Sequence, residues 1–152
     1  MKKFSLITSF QVPQHNLYKY PIRFIHKRVK VILDTNFLLI PASLGVDVFS
    51  QIKEIEPKAE LFVIDKTVYE LKKIINEQKG KNKKSAQIAL QMVDKFKFKI
   101  IKTKTFKNVD EIIEEIAQNG YAVATQDTAL KRKLKGKIKL IFLRQKKYVV
   151  IE

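Results

Sequence analysis

Two short apolar runs in this sequence each stop at an aspartate. Residues 29–33 (Val-Lys-Val-Ile-Leu) are followed by Asp34-Thr35-Asn36, and residues 121–124 (Tyr-Ala-Val-Ala) by Thr125-Gln126-Asp127. Val- and Ile-rich runs of this length read as buried strands of a parallel sheet. In such sheets, chemistry sits beyond the carboxyl ends of the strands. Two further acids stand where an element begins: Glu70, early in a helix that follows a second apolar run, and Asp110, in the first turn of a helix that Asn108 would cap. Strand carboxyl ends and the amino ends of the following helices share one edge of a parallel α/β sheet. Asp34, Glu70, Asp110 and Asp127 are therefore expected on a single rim.

Each acid also has an ordinary explanation. First-turn acids favour the helix dipole by ~0.3–1 kcal/mol, which is enough for Glu70 or Asp110 alone. Asp127 could be a helix N-cap. Asp34 is harder to explain that way, because it ends an apolar strand and two more polar side chains follow it. Convergence of all four raises an electrostatic problem: two unit charges ~5 Å apart at an effective dielectric of ~20 repel by ~3 kcal/mol. Such a group must bind a cation or stay partly protonated. Oxygen-only ligation suits Mg²⁺ or Mn²⁺. Ions of that kind activate water and neutralise a phosphodiester, so phosphodiester hydrolysis is the natural chemistry.

The elements that must position these residues follow from periodicity and turn signals. Strands are expected at residues 29–33, 61–64, 98–101, 121–125 and 138–143, with an edge strand at 148–151 after a turn at 145–147. Helices are expected at 46–55, 67–78, 85–96, 109–118 and 129–135. Residues 36–39 should form a helical turn that Pro41 ends, Asp65 should cap the helix at 67–78, and the run 79–84 should be a basic loop. Alternating strands and helices define an α/β fold with a mostly parallel sheet. Residues 29–152 form the main domain. Residues 1–28, which contain no acid but hold His15, His26 and several aromatics, read as a basic N-terminal arm with a short strand near residues 4–10.

Composition narrows the partner. Lys and Arg number 31 against 15 acids, a net charge of +16 in 152 residues. Thermophile chains rich in Lys usually raise Glu as well; here the acids do not follow, which favours nucleic acid as the partner. The sequence has no cysteine, so disulfides, zinc-thiolate sites and cysteine nucleophiles are excluded. Its start does not read as a signal peptide, and no apolar run approaches the ~20 residues of a membrane span. An intracellular, cytoplasmic protein is expected. Basic clusters at 79–84, at Lys131, Arg132, Lys133 and Lys135, and at Arg144 with Lys146 and Lys147 would grip phosphates. Tyr18, Tyr20, Phe24 and Tyr148 are candidates to stack on bases.

The segments VILDTNFLL, VIDKTVYELKKI, NVDEIIEEIAQNG and YAVATQDTALKRKL together resemble the PIN-domain ribonucleases. The tail IKLIFLRQKKYVVIE resembles an archaeal branch close to small-subunit ribosomal RNA-processing PIN nucleases, which shades into PIN toxins. The resemblance covers residues 29–152. It implies a three-layer α/β/α sandwich and a Mg²⁺- or Mn²⁺-dependent endoribonuclease acting on ribosomal RNA precursor. It places the metal-binding acids on Asp34, Glu70, Asp110 and Asp127, with Asn36 and Thr125 as supporting polar groups. Gln126 stands where the family often has Asn, a change expected to have no consequence. An antitoxin, a ribosome-assembly protein or a second copy of the chain are the protein partners it implies. The other readings are a toxin ribonuclease and a PIN protein that binds RNA without cutting it. An aspartate-nucleophile phosphatase would need an acid at position 36, where Asn stands. No glycine-rich nucleotide fingerprint or phosphate-loop lysine is present.

Overall fold

The computed structural model describes residues 28–152. The expected arm strand near residues 4–10, His15, His26, Tyr18, Tyr20 and Phe24 lie outside the described residues.

Six strands form one sheet: β1 (Lys30–Leu33), β2 (Glu60–Ile64), β3 (Lys99–Ile101), β4 (Ala122–Ala124), β5 (Leu140–Arg144) and β6 (Tyr148–Ile151). Their order is β3-β2-β1-β4-β5-β6. The first five run parallel, and β6 returns antiparallel to β5. Seven helices flank it among the described residues: α1 (Thr35–Leu38), α2 (Ile40–Leu44), α3 (Val48–Ile55), α4 (Asp65–Glu77), α5 (Gly80–Lys95), α6 (Val109–Ala117) and α7 (Thr128–Leu134).

The central strands are apolar on both faces because both are covered. Val31, Leu33, Val63, Ala122, Ala124 and Ile141 pack with Phe37, Val48, Ile52, Leu71, Ala86 and Ala89 from α1, α3, α4 and α5. The alternate residues Ile32, Ile64, Val123 and Leu140 pack with Ile112, Ile113, Leu130 and Leu134 from α6 and α7. Two cores on opposite faces of one sheet make the three-layer α/β/α sandwich.

Three local expectations need correction. Pro41 does not end the helical turn; it sits in the first turn of α2, where its missing N–H costs nothing. Gly45, at φ 68°, ends that helix instead. The basic run 79–84 is not a loop: α5 starts at Gly80 and absorbs Lys81, Lys83 and Lys84. Lysine is a good helix former, and this exposed first turn simply lacks an apolar period. Asp65 is the first residue of α4 rather than its cap. Its carboxylate accepts from Lys66 N at 2.8 Å and also reaches Thr103 N and Oγ1, at 2.9 and 2.7 Å.

No helix among the described residues is long and apolar enough to cross a membrane.

Candidate active site

The chain leaves adjacent strands β1 and β4 toward opposite faces of the sheet. β1 leads into α1 on one side, and β4 leads into α7 on the other. A crevice opens where connections diverge in this way, outside the strand ends. Asp34 is the first residue after β1, where the two connections part. Its backbone N–H donates to Ala124 O at 2.9 Å, continuing the β1–β4 ladder for one more residue. Its side chain is buried, only 4% exposed. Oδ1 accepts from Thr35 N at 2.8 Å, capping α1, and Oδ2 accepts from the Thr125 hydroxyl at 2.7 Å. Burial pushes the Asp34 carboxyl above its ordinary pKa. The hydrogen bonds from Thr125 and Thr35 oppose that rise, and the charges of Asp110 and Asp127 add to it.

Asp127 caps α7: Oδ1 accepts from Leu130 N at 2.9 Å. Its own N–H donates to Thr125 Oγ1 at 3.0 Å. One buried hydroxyl therefore bridges the two strand-end aspartates, donating to one side chain and accepting from the other's backbone. Asn36 Oδ1 accepts from Gln126 N at 3.1 Å and ties α1 to the same turn.

Asp110 stands in the first turn of α6, which Asn108 caps. Asn108 accepts from Glu111 N at 2.9 Å, and Glu111 accepts from Asn108 N at 3.2 Å, a reciprocal capping box. Burial raises the Asp110 carboxyl, and the charge of Asp127 raises it further, while Lys133 lowers it. Glu70, in the second turn of α4, accepts the Thr35 hydroxyl on Oε2 at 2.6 Å. Thr35 is thus the link between Glu70 and the loop that carries Asp34.

The four acids do share one edge of the sheet, and Asp34, Asp110 and Asp127 feel one another's charge. Among the described residues, however, no three His, Asp or Glu side chains are drawn together tightly enough to form a ready-made metal cluster. The donor chemistry fits a hard divalent cation, with oxygen ligands only and one anchored carboxylate whose charged form is disfavoured by burial and by the nearby Asp110 and Asp127.

Of the basic candidates, Arg132 and Lys135 on α7 and Arg144 at the end of β5 are exposed. Lys131 stands 4.7 Å above the Phe142 ring, with the Arg144 guanidinium 5.7 Å from the same ring. Lys133 is paired with Glu114 at 3.0 Å. Tyr148, half-exposed, follows Arg144 across the tight turn.

Sequence reasoning missed two contributors. The Gln126 side chain donates to Leu143 O at 3.2 Å and accepts from Leu143 N, prolonging the β4–β5 ladder by imitating a peptide group. Its identity therefore matters. The other is Thr35, whose only signal was a hydroxyl at the first helical position beside Asp34.

The sequence pattern of the PIN-like domain family matches residues 31–146, and the chain belongs to that family. Among solved structures it is similar to the PIN domain endonuclease Utp24, with a TM-score of 0.65 and 23% identity over 81% of this chain and 90% of that one. It is also similar to a domain of a functionally unknown protein from Methanocaldococcus jannaschii, with a TM-score of 0.54 and 16% identity over 76% of this chain and 91% of that one. No curated protein matches the sequence.

Proposed function

We propose that this chain is a divalent-metal-dependent endoribonuclease that hydrolyses RNA phosphodiesters in the maturation of ribosomal RNA precursor in the cytoplasm. The observation that carries the reading is Asp34. It is a buried carboxylate at the diverging β1–β4 connections, pushed toward protonation partly by Asp110 and Asp127, in a chain of net charge +16. A carboxylate so placed has a use if a cation shares it. Membership of the PIN-like domain family supports the same reading, and the resemblance of residues 29–152 to ribosomal RNA-processing members supports the choice of substrate.

Bound there, Mg²⁺ or Mn²⁺ would supply positive charge against the phosphodiester and activate water as the nucleophile. Asp34 and Asp127 would be the principal ligands, each offering oxygen lone pairs not used by its capping hydrogen bond. Asp110 would share that ion or hold a second. Glu70, with Oε2 steadied by Thr35, would take the proton from the attacking water or join the second ion. Thr125 and Asn36 would hold the two strand ends in register. Lys131, Arg132, Lys135 and Arg144 would bind phosphates on the flanks.

The test is cleavage of ribosomal RNA precursor fragments with Mn²⁺, comparing the wild-type chain with Asp34→Asn. We expect Asp34→Asn to lose cleavage while keeping a cooperative thermal transition. Wild-type cleavage by a folded Asp34→Asn protein would refute the assignment.

A further inference from the structure

Residues 102–108 (Lys-Thr-Lys-Thr-Phe-Lys-Asn) leave β3 and enter α6, which begins at Val109. Because β3 runs parallel to β2, this loop lies on the same sheet edge as Asp34 and leads directly to Asp110. Its backbone is unusually well tied for a surface loop. Asp65 receives both Thr103 N and Thr103 Oγ1, at 2.9 and 2.7 Å. The Lys66 ammonium donates to Thr105 O and to Lys107 O. Lys107 N donates to Thr105 Oγ1 at 3.2 Å. Phe106 sits between the two anchored carbonyls, and its side chain is fully exposed to solvent.

A single exposed apolar residue is ordinary. Phe106 differs in that hydrogen bonds hold the backbone on both sides of it while its ring meets only water. Two cations beside it are also unpaired: Lys102 and Lys104 are exposed and form no ion pair among the described residues, whereas Lys107 is paired with Glu115. An apolar protein-docking patch would surround the ring with more apolar side chains; its neighbours here are threonines and lysines.

An exposed ring on a tethered backbone, flanked by cations, matches an unpaired nucleotide, with a π-face for the base and ammonium groups for the phosphates. We infer that Phe106 is a stacking platform for an unpaired base of single-stranded RNA lying next to the cleavage site, with Lys102 and Lys104 holding the adjoining phosphates. This rests on the ribonuclease reading and assigns to one loop residue, Phe106, the contact with an unpaired base. Duplex RNA, whose bases are already stacked on one another, offers no face to the ring.

Binding of the full chain to a fluorescent single-stranded RNA, measured by anisotropy in EDTA so that nothing is cut, tests this directly. Phe106→Ala should weaken binding by about 5- to 160-fold, the range that base–aromatic stacking carries. Phe106→Trp should bind at least as well as wild type. Both variants should melt with the wild-type protein, because the ring buries nothing. With a duplex of the same sequence, wild type and Phe106→Ala should bind alike. Equal single-strand affinity for wild type and Phe106→Ala would overturn the inference and leave the ring to a protein partner. An equal loss on single strand and duplex would overturn it too. Absence of metal-dependent cleavage by wild type would instead strike the ribonuclease reading, a separate measurement.

Discussion

Thr125→Val is a sharp test of how the site is held together. The substitution keeps the volume of a fully buried side chain and removes its hydroxyl. Two interactions go with it: the 2.7 Å hydrogen bond to Asp34 Oδ2 and the 3.0 Å bond from Asp127 N. A hydrogen bond to an ionised group contributes about 1.5–3 kcal/mol, and a buried N–H left without a partner costs about 1–3 kcal/mol. Some relaxation at the partly exposed Asp127 brings the expected loss to roughly 2–5 kcal/mol at neutral pH. For a chain of this size that is a fall in Tm on the order of 10 °C. The loss should depend on pH with a definite sign. The Thr125 hydrogen bond pulls the Asp34 carboxyl down against burial, so its removal raises the folded-state pKa further while the unfolded value stays put. At pH below both values Asp34 is protonated in either state, and the charge-assisted part of the loss vanishes. Above both it is complete. Urea denaturation of wild type and Thr125→Val across pH 3–8 measures this, with Thr125→Ser, which keeps the hydroxyl, as control. A difference between wild type and Thr125→Val that is flat with pH would refute the claim that the hydroxyl acts on the charged carboxylate.

Two other outcomes follow from the same geometry. Asp34 and Asp110 are both pushed up by burial and by neighbouring charge, so the ion-free fold retains protons that the unfolded chain releases. Stability from these groups is present at low pH and is lost as pH rises through their folded-state values. Mn²⁺ should reverse that trend, raising Tm more at pH 8 than at pH 5, since an ion at 100 times its Kd stabilises by about 2.7 kcal/mol; an equal rise in Asp34→Asn would show that the ion binds elsewhere. Gln126→Leu should cost about 1–3 kcal/mol in urea denaturation and speed hydrogen exchange at the Leu143 amide, because it removes both bonds to that residue. Unchanged exchange there would refute the peptide-mimic role.

The strand ends were legible in the sequence because parallel strands covered on both faces are written as unbroken apolar runs, and Asp34 and Asp127 each mark where a run stops. The edge strand at residues 148–151 could be read from its flanking turn and is observed at those bounds. The start of α5 was not legible, since its first five positions are all exposed and carry no period. Nor were the contacts that make the site rigid. Thr35 meets Glu70 across 35 positions, Asp65 meets Thr103 across 38, and Thr125 meets Asp34 across 91. Each is created by strand order, which local pattern does not encode. The two bonds of Gln126 to Leu143 were hidden for the same reason, because only strand order brings β5 within its reach.

The ordinary and the catalytic explanations of the acids turn out to be complementary. Asp34 and Asp127 do cap helices, and Asp110 does occupy a first turn. Each cap uses one carboxylate oxygen and fixes the side chain, which leaves the second oxygen oriented. The dipole contribution is about 0.3–1 kcal/mol per acid at an exposed helix terminus. Asp110 and Asp127 both press on Asp34, and Asp127 presses on Asp110, so like charge opposes the gain at these termini. Burial does most to raise Asp34 and Asp110, the repulsion adds to it, and a proton or a cation relieves both. In a chain whose remaining surface is strongly positive, three helix starts at one sheet edge concentrate the deficit there. The capping network then decides which oxygens remain free to meet an ion.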